Sequence, residues 1–187
     1  TTLFRSLARA AGMSYEDLVR ERILEPLGMT MSGIALEGEM KDWMAKGHNQ
    51  AGEVVPLWDL PTLAGAGALR SNMDDMLKFL AANTGEPEST LERAMRESHT
   101  VRANISPEMG ISLNWHVRRA GDAEIVWHNG GTAGFRTFAG FDAATGVGAV
   151  VLTNSAHGAD DIGFHLINQD LPLTPKPRER IEIELAG

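Results

Sequence analysis

The hydrophobic period of this chain changes in its back half, and that change fixes what the chain can fold into. Ile111 to Arg119, Glu124 to Asn129, Phe135 to Asp142 and Val147 to Asn154 alternate or run apolar, like strands. Gly121-Asp122 and Ala144-Thr145-Gly146 supply turns between the outer pairs. Links this short demand antiparallel neighbours, because a parallel return needs roughly a dozen residues or more. Val147-Gly148-Ala149-Val150-Val151-Leu152 is apolar on both faces, which predicts a central strand covered on both sides. Asp160 to Asp170 then reads as a helix with Ile162, Leu166 and Ile167 on its inner face.

The front half has helical periods separated by loops. Leu3, Leu7, Ala10 and Ala11 share one face, and Gly12 is placed to end that helix. Ser14-Tyr15-Glu16-Asp17 resembles a capping box, with Asp17 in place of the usual Glu. Tyr15, Leu18, Val19 and Ile23 form the stripe of the helix it opens, and Pro26-Leu27-Gly28 stops it. Residues 29–63 show no clear period, and a loop so long is uncommon unless it walls a site or packs on a neighbour. Trp43 and Trp58 within it are expected to be buried, with a cleft wall as the alternative. Ser71-Asn72-Met73-Asp74 caps a helix with a stripe of Met73, Met76, Leu77 and Leu80, ended by Gly85, and Glu88 to Glu97 reads as a short helix.

The fold class is therefore α+β, an antiparallel sheet with packed helices. Residues 1–104 form the helical and loop region, and residues 105–171 form the sheet and its C-terminal helix. Residues 172–187 are a linker stiffened by Pro172, Pro175 and Pro177, followed by an alternating run from Arg180 to Leu185. Composition narrows the function. Seventeen basic against 25 acidic side chains give a net charge of −8, which argues against a nucleic-acid partner. There is no cysteine, no stretch of about 18 apolar residues to span a membrane, and no His-Glu-x-x-His or other metal-ligand spacing. No metal and no cofactor are expected.

The chemistry concentrates in Trp127-His128-Asn129-Gly130-Gly131-Thr132-Ala133-Gly134-Phe135. An imidazole ends an apolar run, and bare backbone follows at once. A proton-handling ring beside unshielded amides is the local equipment of acyl transfer. Taken alone, His128 reads first as a hydrogen-bonded strand-end histidine, and the glycines as a bulge or tight turn. The flanking residues shift that balance toward a site.

Three ordered blocks carry a resemblance. Ser14-Tyr15-Glu16-Asp17-Leu18 through Glu25-Pro26-Leu27-Gly28-Met29 resembles the SYEELLRERIFEPLGM segment of the serine β-lactamase-like family. That family includes class C β-lactamases, penicillin-binding proteins, DD-peptidases and esterases. Ala64-Gly65-Ala66-Gly67-Ala68-Leu69-Arg70-Ser71 with Asp75 resembles its AGGLVSTARDLARF segment, and His128-Asn129-Gly130-Gly131 through Leu152-Thr153-Asn154 resembles its HxGGxxGF…VVLTN block.

Of the family's three motifs, only the Lys-Thr-Gly or His-x-Gly strand has a counterpart here, His128-Asn129-Gly130. No serine has a lysine three places on, and the sole tyrosine, Tyr15, sits in the first block rather than in a Tyr-x-Asn element. The resemblance thus implies the C-terminal part of a catalytic domain, residues 1–171, with the Ser-x-x-Lys and Tyr-x-Asn elements upstream. A C-terminal extension would begin within 172–187.

On that basis His128 is the expected proton-handling residue and the Gly131 N–H an oxyanion-hole donor. Asn129, Gly130, Thr132 and Asn154 are expected to contact substrate, with a turn-forming role the alternative for Asn154. The partner is a small-molecule or peptide substrate, met in a periplasmic or secreted setting if the family pattern holds. Such a piece is expected to be inactive alone and to pair with its missing half or with itself. Two other readings stand beside it: a family member that lost its nucleophile and binds peptide-like ligands, and an interaction module.

Overall fold

The computed structural model describes residues 2–60 and 63–175, with nothing stated for the side chains of residues 2 and 3. The alternating run from Arg180 to Leu185 lies outside the described residues. Helix α1 (Thr2–Ala11) ends at Gly12, whose φ of +70° is the left-handed turn that glycine adopts at little cost. Helix α2 (Tyr15–Val19) is capped as the sequence implies: Ser14 Oγ accepts the Asp17 N–H at 3.0 Å. It continues as a π-helical turn, Arg20–Leu24. The long aperiodic stretch folds into a short helix, α3 (Glu39–Trp43), and a two-stranded hairpin of β1 (Gly47–His48) and β2 (Val54–Val55). Helix α4 (Met73–Thr84) starts on Asn72, and α5 (Thr90–Ser98) starts on a full capping box of Ser89 and Glu92.

The second half is a meander. Strands β3 (Ala103–Ser106), β4 (Met109–Ile111), β5 (His116–Ala120), β6 (Ala123–Thr132), β7 (Phe135–Asp142) and β8 (Gly148–Thr153) pair antiparallel in chain order. Helix α6 (Asp160–Ile167) closes the described fold. On one face, Val117, Val126, Phe141 and Val150 pack on Leu80 of α4; on the other, Ile125 and Phe138 pack on Phe164 of α6. The sheet is thus the middle of three layers. Fully burying each of these side chains is worth about 1.5–3 kcal/mol.

Several sequence expectations need correction. The strand expected over 111–119 is two: Asn114 at φ +63° turns the chain, and Ser112 N–H closes on the Trp115 carbonyl. Strand β8 is covered by α4 and α6 on its two faces, as its composition predicts, but it pairs only with β7 and ends the described sheet. Three helix faces are rotated from the predicted ones. In α1, Leu7 is 53% exposed while Ala8 is buried, because the Phe4 ring sets the contact by packing on Tyr15 and Gly65. In α4, Met76 and Leu80 face the core as predicted, but Met73 and Leu77 are 41% and 47% exposed, and Asp75 and Asn83 turn inward in their place. Asp75 is drawn in by the Met31 N–H, the Ser32 hydroxyl and Lys78.

In α6, Ile167 packs on the core as predicted, whereas Leu166 is 57% exposed and Ile162 is also exposed. Gly163 faces the sheet in their place, and its lack of a β-carbon lets the Phe138 ring nest against the helix. In α2, the π turn adds a residue per turn, so the fully buried position falls on Leu24 rather than Ile23.

Candidate active site

Strand β6 carries the site because its two edges end at different points. Register pairs run from Ile125 to Thr132 against β7, but the pairing with β5 stops at Trp127↔His116. Thr132 and Phe135 flank a two-residue turn, where the closing pair is the hydrogen-bonded one and its neighbours alternate, and the Ala143 N–H donating to the Glu124 carbonyl fixes the same phase. Thr132, Gly130 and His128 therefore bond to β7, while Gly131 and Asn129 direct N–H and C=O away from it. On that side β5 has already ended. The Gly131 N–H thus points toward an edge with no strand beside it.

The glycines are there because neighbours occupy the space of a side chain. A β-carbon at Gly130 would lie 2.5 Å from Thr137 Oγ1, and one at Gly131 would lie 2.9 Å from an Arg136 guanidinium nitrogen. Gly134, at φ +71°, abuts the backbone of Gly47 and His48. The Ala64–Ala66 turn comes up beside the same strand end, with the β-carbon position of Gly67 at 3.4 Å from Thr132 Cγ2. Two of the family-like blocks thereby meet in space at Thr132.

His128 is half-buried, and its Nδ1 lies 2.6 Å from the Asn129 carbonyl oxygen. A carbonyl only accepts, so the neutral ring carries its proton on Nδ1 and leaves Nε2 with a lone pair. The His116 ring stacks on it, with centroids 5.3 Å apart and planes 27° from parallel. Burial, and then the neighbouring His128, lowers the His116 pKa. The Asn129 amide donates to Asp160 at the start of α6 at 2.6 Å. Asn154 is exposed, and its side-chain amide donates to the Lys46 carbonyl at 3.0 Å. His48 Nδ1 in turn lies 3.0 Å from the Asn154 carbonyl.

The structure therefore groups His128, Asn129, Gly130, Gly131 and Thr132 on one strand end, and places Asn154 across the β1–β2 hairpin. His116, Arg136 and Asp160 belong to this neighbourhood and carry no motif. The strand register, Trp127 opposite His116 and Gly131 opposite Arg136, brings in the first two, and Asp160 enters through its hydrogen bond from Asn129. Trp43, expected to be buried, is 79% exposed, and Trp58 is exposed as well. Among the described residues no group of three or more His, Asp or Glu is placed to hold a metal ion, and no helix is long and apolar enough to cross a membrane.

An antiparallel sheet with helices on both faces, and a His-x-Gly segment where β6 outruns β5, is a β-lactamase-like α+β fold. The family model described as Beta-lactamase matches residues 1–170, and the chain belongs to that family. It is 29% identical over 180 residues to the unguisins hydrolase of Aspergillus campestris, covering 87% of this chain and 34% of that protein. It is 24% identical over 180 residues to the D-aminopeptidase of Brucella anthropi, covering 94% and 34%. The fold matches the β-lactamase/D-alanine carboxypeptidase of Pseudomonas syringae at a TM-score of 0.81 and 19% identity, over 92% of this chain and 58% of that one. It matches a class C β-lactamase at 0.77 and 22% identity, over 90% and 54%. The chain thus spans about a third of the length of these curated relatives.

Proposed function

We propose that this chain forms the histidine-and-glycine wall of a serine-hydrolase active site that acts on an ester, amide or β-lactam through an acyl-enzyme. The observation that carries the reading is the direction of the Gly131 N–H, away from β7 and beyond the end of β5. There it can donate to an oxyanion instead of completing the sheet. The attacking hydroxyl is assigned to a serine outside residues 1–187, since no serine in this sequence has a lysine at the third position on.

The serine oxygen adds to the substrate carbonyl, and the carbonyl oxygen takes the negative charge beside the Gly131 N–H. Collapse expels the leaving group, which takes up the proton given up by the serine, and water then releases the acyl group. His128 Nε2, with its lone pair free, accepts from the hydroxyl network that carries that proton. Gly130 and Thr132 line the strand edge along which the substrate lies, and Asn129 and Asn154 hold α6 and the β1–β2 hairpin against it. The name of one relative, a D-aminopeptidase, supports a peptide-bond substrate.

Fluorophosphonate labelling tests the assignment. The chain by itself should take up no label, and a stable adduct on any of its own serines would overturn the reading. Joined to a polypeptide that supplies Ser-x-x-Lys, it should label and turn over D-aminoacyl anilides or p-nitrophenyl esters faster than nitrocefin.

A further inference from the structure

The geometry points to a docking surface for a second copy of this chain: the outer edge of β8, paired antiparallel with its own counterpart across a two-fold axis. The Asp142 N–H donates to the Val147 carbonyl at 2.9 Å, which fixes the phase of the β7–β8 ladder. Val147, Ala149, Val151 and Thr153 therefore bond to β7, while Gly148, Val150 and Leu152 turn their N–H and C=O groups outward. Among the described residues no strand meets those outward groups. The opposite edge is guarded: β3 is 4 residues long, shifts register between Asn104 and Ser106, and leads into Pro107, all of which discourage pairing. Strand β8 has no proline, no charge and no bulge, and Ala149 and Val150 are buried. It has the make-up of an interior strand and the position of an edge.

Both covering helices overhang that edge with apolar side chains. In α4, Phe79 stacks on Trp115 just before β5, and Leu77, about 200° round the helix, faces the other way, past β8. In α6, Phe164 meets Trp127 of β6, and Ile162, again about 200° round, faces past β8 with Leu166 one turn on. Leu77, Ile162 and Leu166 are all exposed. A two-fold axis normal to the sheet at Val150 sets Val150 against its copy and Gly148 against Leu152, so outward groups meet outward groups. It also keeps each helix on its own face, and the α4 flanks and the α6 flanks meet apolar side to apolar side. Helix α6 lies over β7 and β8 alike, so with strands about 4.8 Å apart it would stand about 10 Å from its copy, an ordinary helix-packing distance. The joined face, roughly 20 Å along β8 and roughly 30 Å through three layers, projects to about 600 Å², near the ~800 Å² per partner of a stable interface. Such a contact is self-complementary and closes at two chains.

Sedimentation equilibrium and amide hydrogen exchange on the 187-residue chain test the pairing. The expected result is a dimer whose Gly148, Val150 and Leu152 amides slow by roughly 100-fold at about 100 times the dissociation constant. The Ala149, Val151 and Thr153 amides, which serve β7, stay protected at every concentration. Leu77→Lys combined with Leu166→Lys alters exposed side chains alone and should give a folded monomer with fast outward amides. If that variant fails to fold, dilution of the parent chain makes the same comparison. A chain that stays monomeric at submillimolar concentration, or a dimer whose outward amides remain fast, overturns the inference. So does protection of those amides in a monomer, which would mean that the chain folds back on its own edge.

Discussion

Gly134 and His48 meet backbone to backbone: the His48 N–H donates to the Gly134 carbonyl at 3.2 Å, and a β-carbon on Gly134 would lie 2.5 Å from the His48 nitrogen. The contact joins the turn of the site strand to the β1–β2 hairpin, which holds Asn154. Gly134→Ala should therefore cost about 2–4 kcal/mol, combining left-handed strain with overpacking. Gly146→Ala is the matched control. Its φ is also +71°, but its β-carbon would meet nothing within 4 Å, so it should cost only about 1 kcal/mol. Urea midpoints of the two variants check the difference, and equal losses would mean that the close approach is unimportant.

Gly131→Pro separates a donor from a ladder partner. Proline removes the N–H and is tolerated where that N–H does not serve the sheet. Any β-carbon at this position must push the Arg136 guanidinium aside, so Gly131→Ala, which keeps the N–H, is the matched control. The proline variant should match the thermal midpoint of the alanine variant within a few degrees and lose roughly 10²–10³ in turnover relative to it in the active protein. A midpoint far below that of the alanine variant would show that the amide was holding strands together.

His99 makes the fold sensitive to mild acid. Its Nε2 lies 2.9 Å from Oδ1 of buried Asn83, its ring packs on Phe141, and burial, then Arg96, lowers its pKa to about 4. The unfolded chain binds that proton near pH 6.5, so between about 6.5 and 4 the unfolded state holds more protons. Stability should be complete above that window and fall as the pH drops through it. After a discount for partial exposure the loss is about 1–2 kcal/mol. Denaturation from pH 7.5 to 4 should show this slope in the parent protein and a flatter one in His99→Gln.

Asp75 anchors the loop after α2 to the start of α4. Burial pushes its pKa up, but hydrogen bonds from Lys78, Ser32 and the Met31 N–H outweigh that and lower it overall. Its contribution is therefore present above the ordinary carboxylate range and lost as the pH falls below about 4. Asp75→Ala should cost about 2–4 kcal/mol, because it strands the Met31 N–H and the Ser32 hydroxyl. Lys78→Ala should cost less, since that side chain is half in water. Calorimetry on the two variants gives the ranking.

Strand periodicity and cap chemistry were legible in the chain, but the direction each helix faces was not. Ser14, Asn72 and Gly12 act locally, within a turn of their own backbone, so their signals survive without tertiary context. Leu7, Leu77 and Leu166 carry the helical period and yet face out, because Phe4, Asp75 and Gly163 set the contacts of their helices through distant partners. Within the site, His128 and the glycines announce themselves by adjacency. His116 is twelve positions from His128 and enters only because Trp127 pairs with it. A motif records neighbours along the chain, and a stack across two strands leaves no such trace.

Strands that pair in chain order have a kinetic consequence. Each hairpin from β3 to β8 closes a short loop, so assembly costs little chain entropy at any step and can begin at the two-residue turn between β6 and β7. The wall bearing His128 would then be among the earliest parts of the molecule to take shape, waiting for the helices that later bury its two faces.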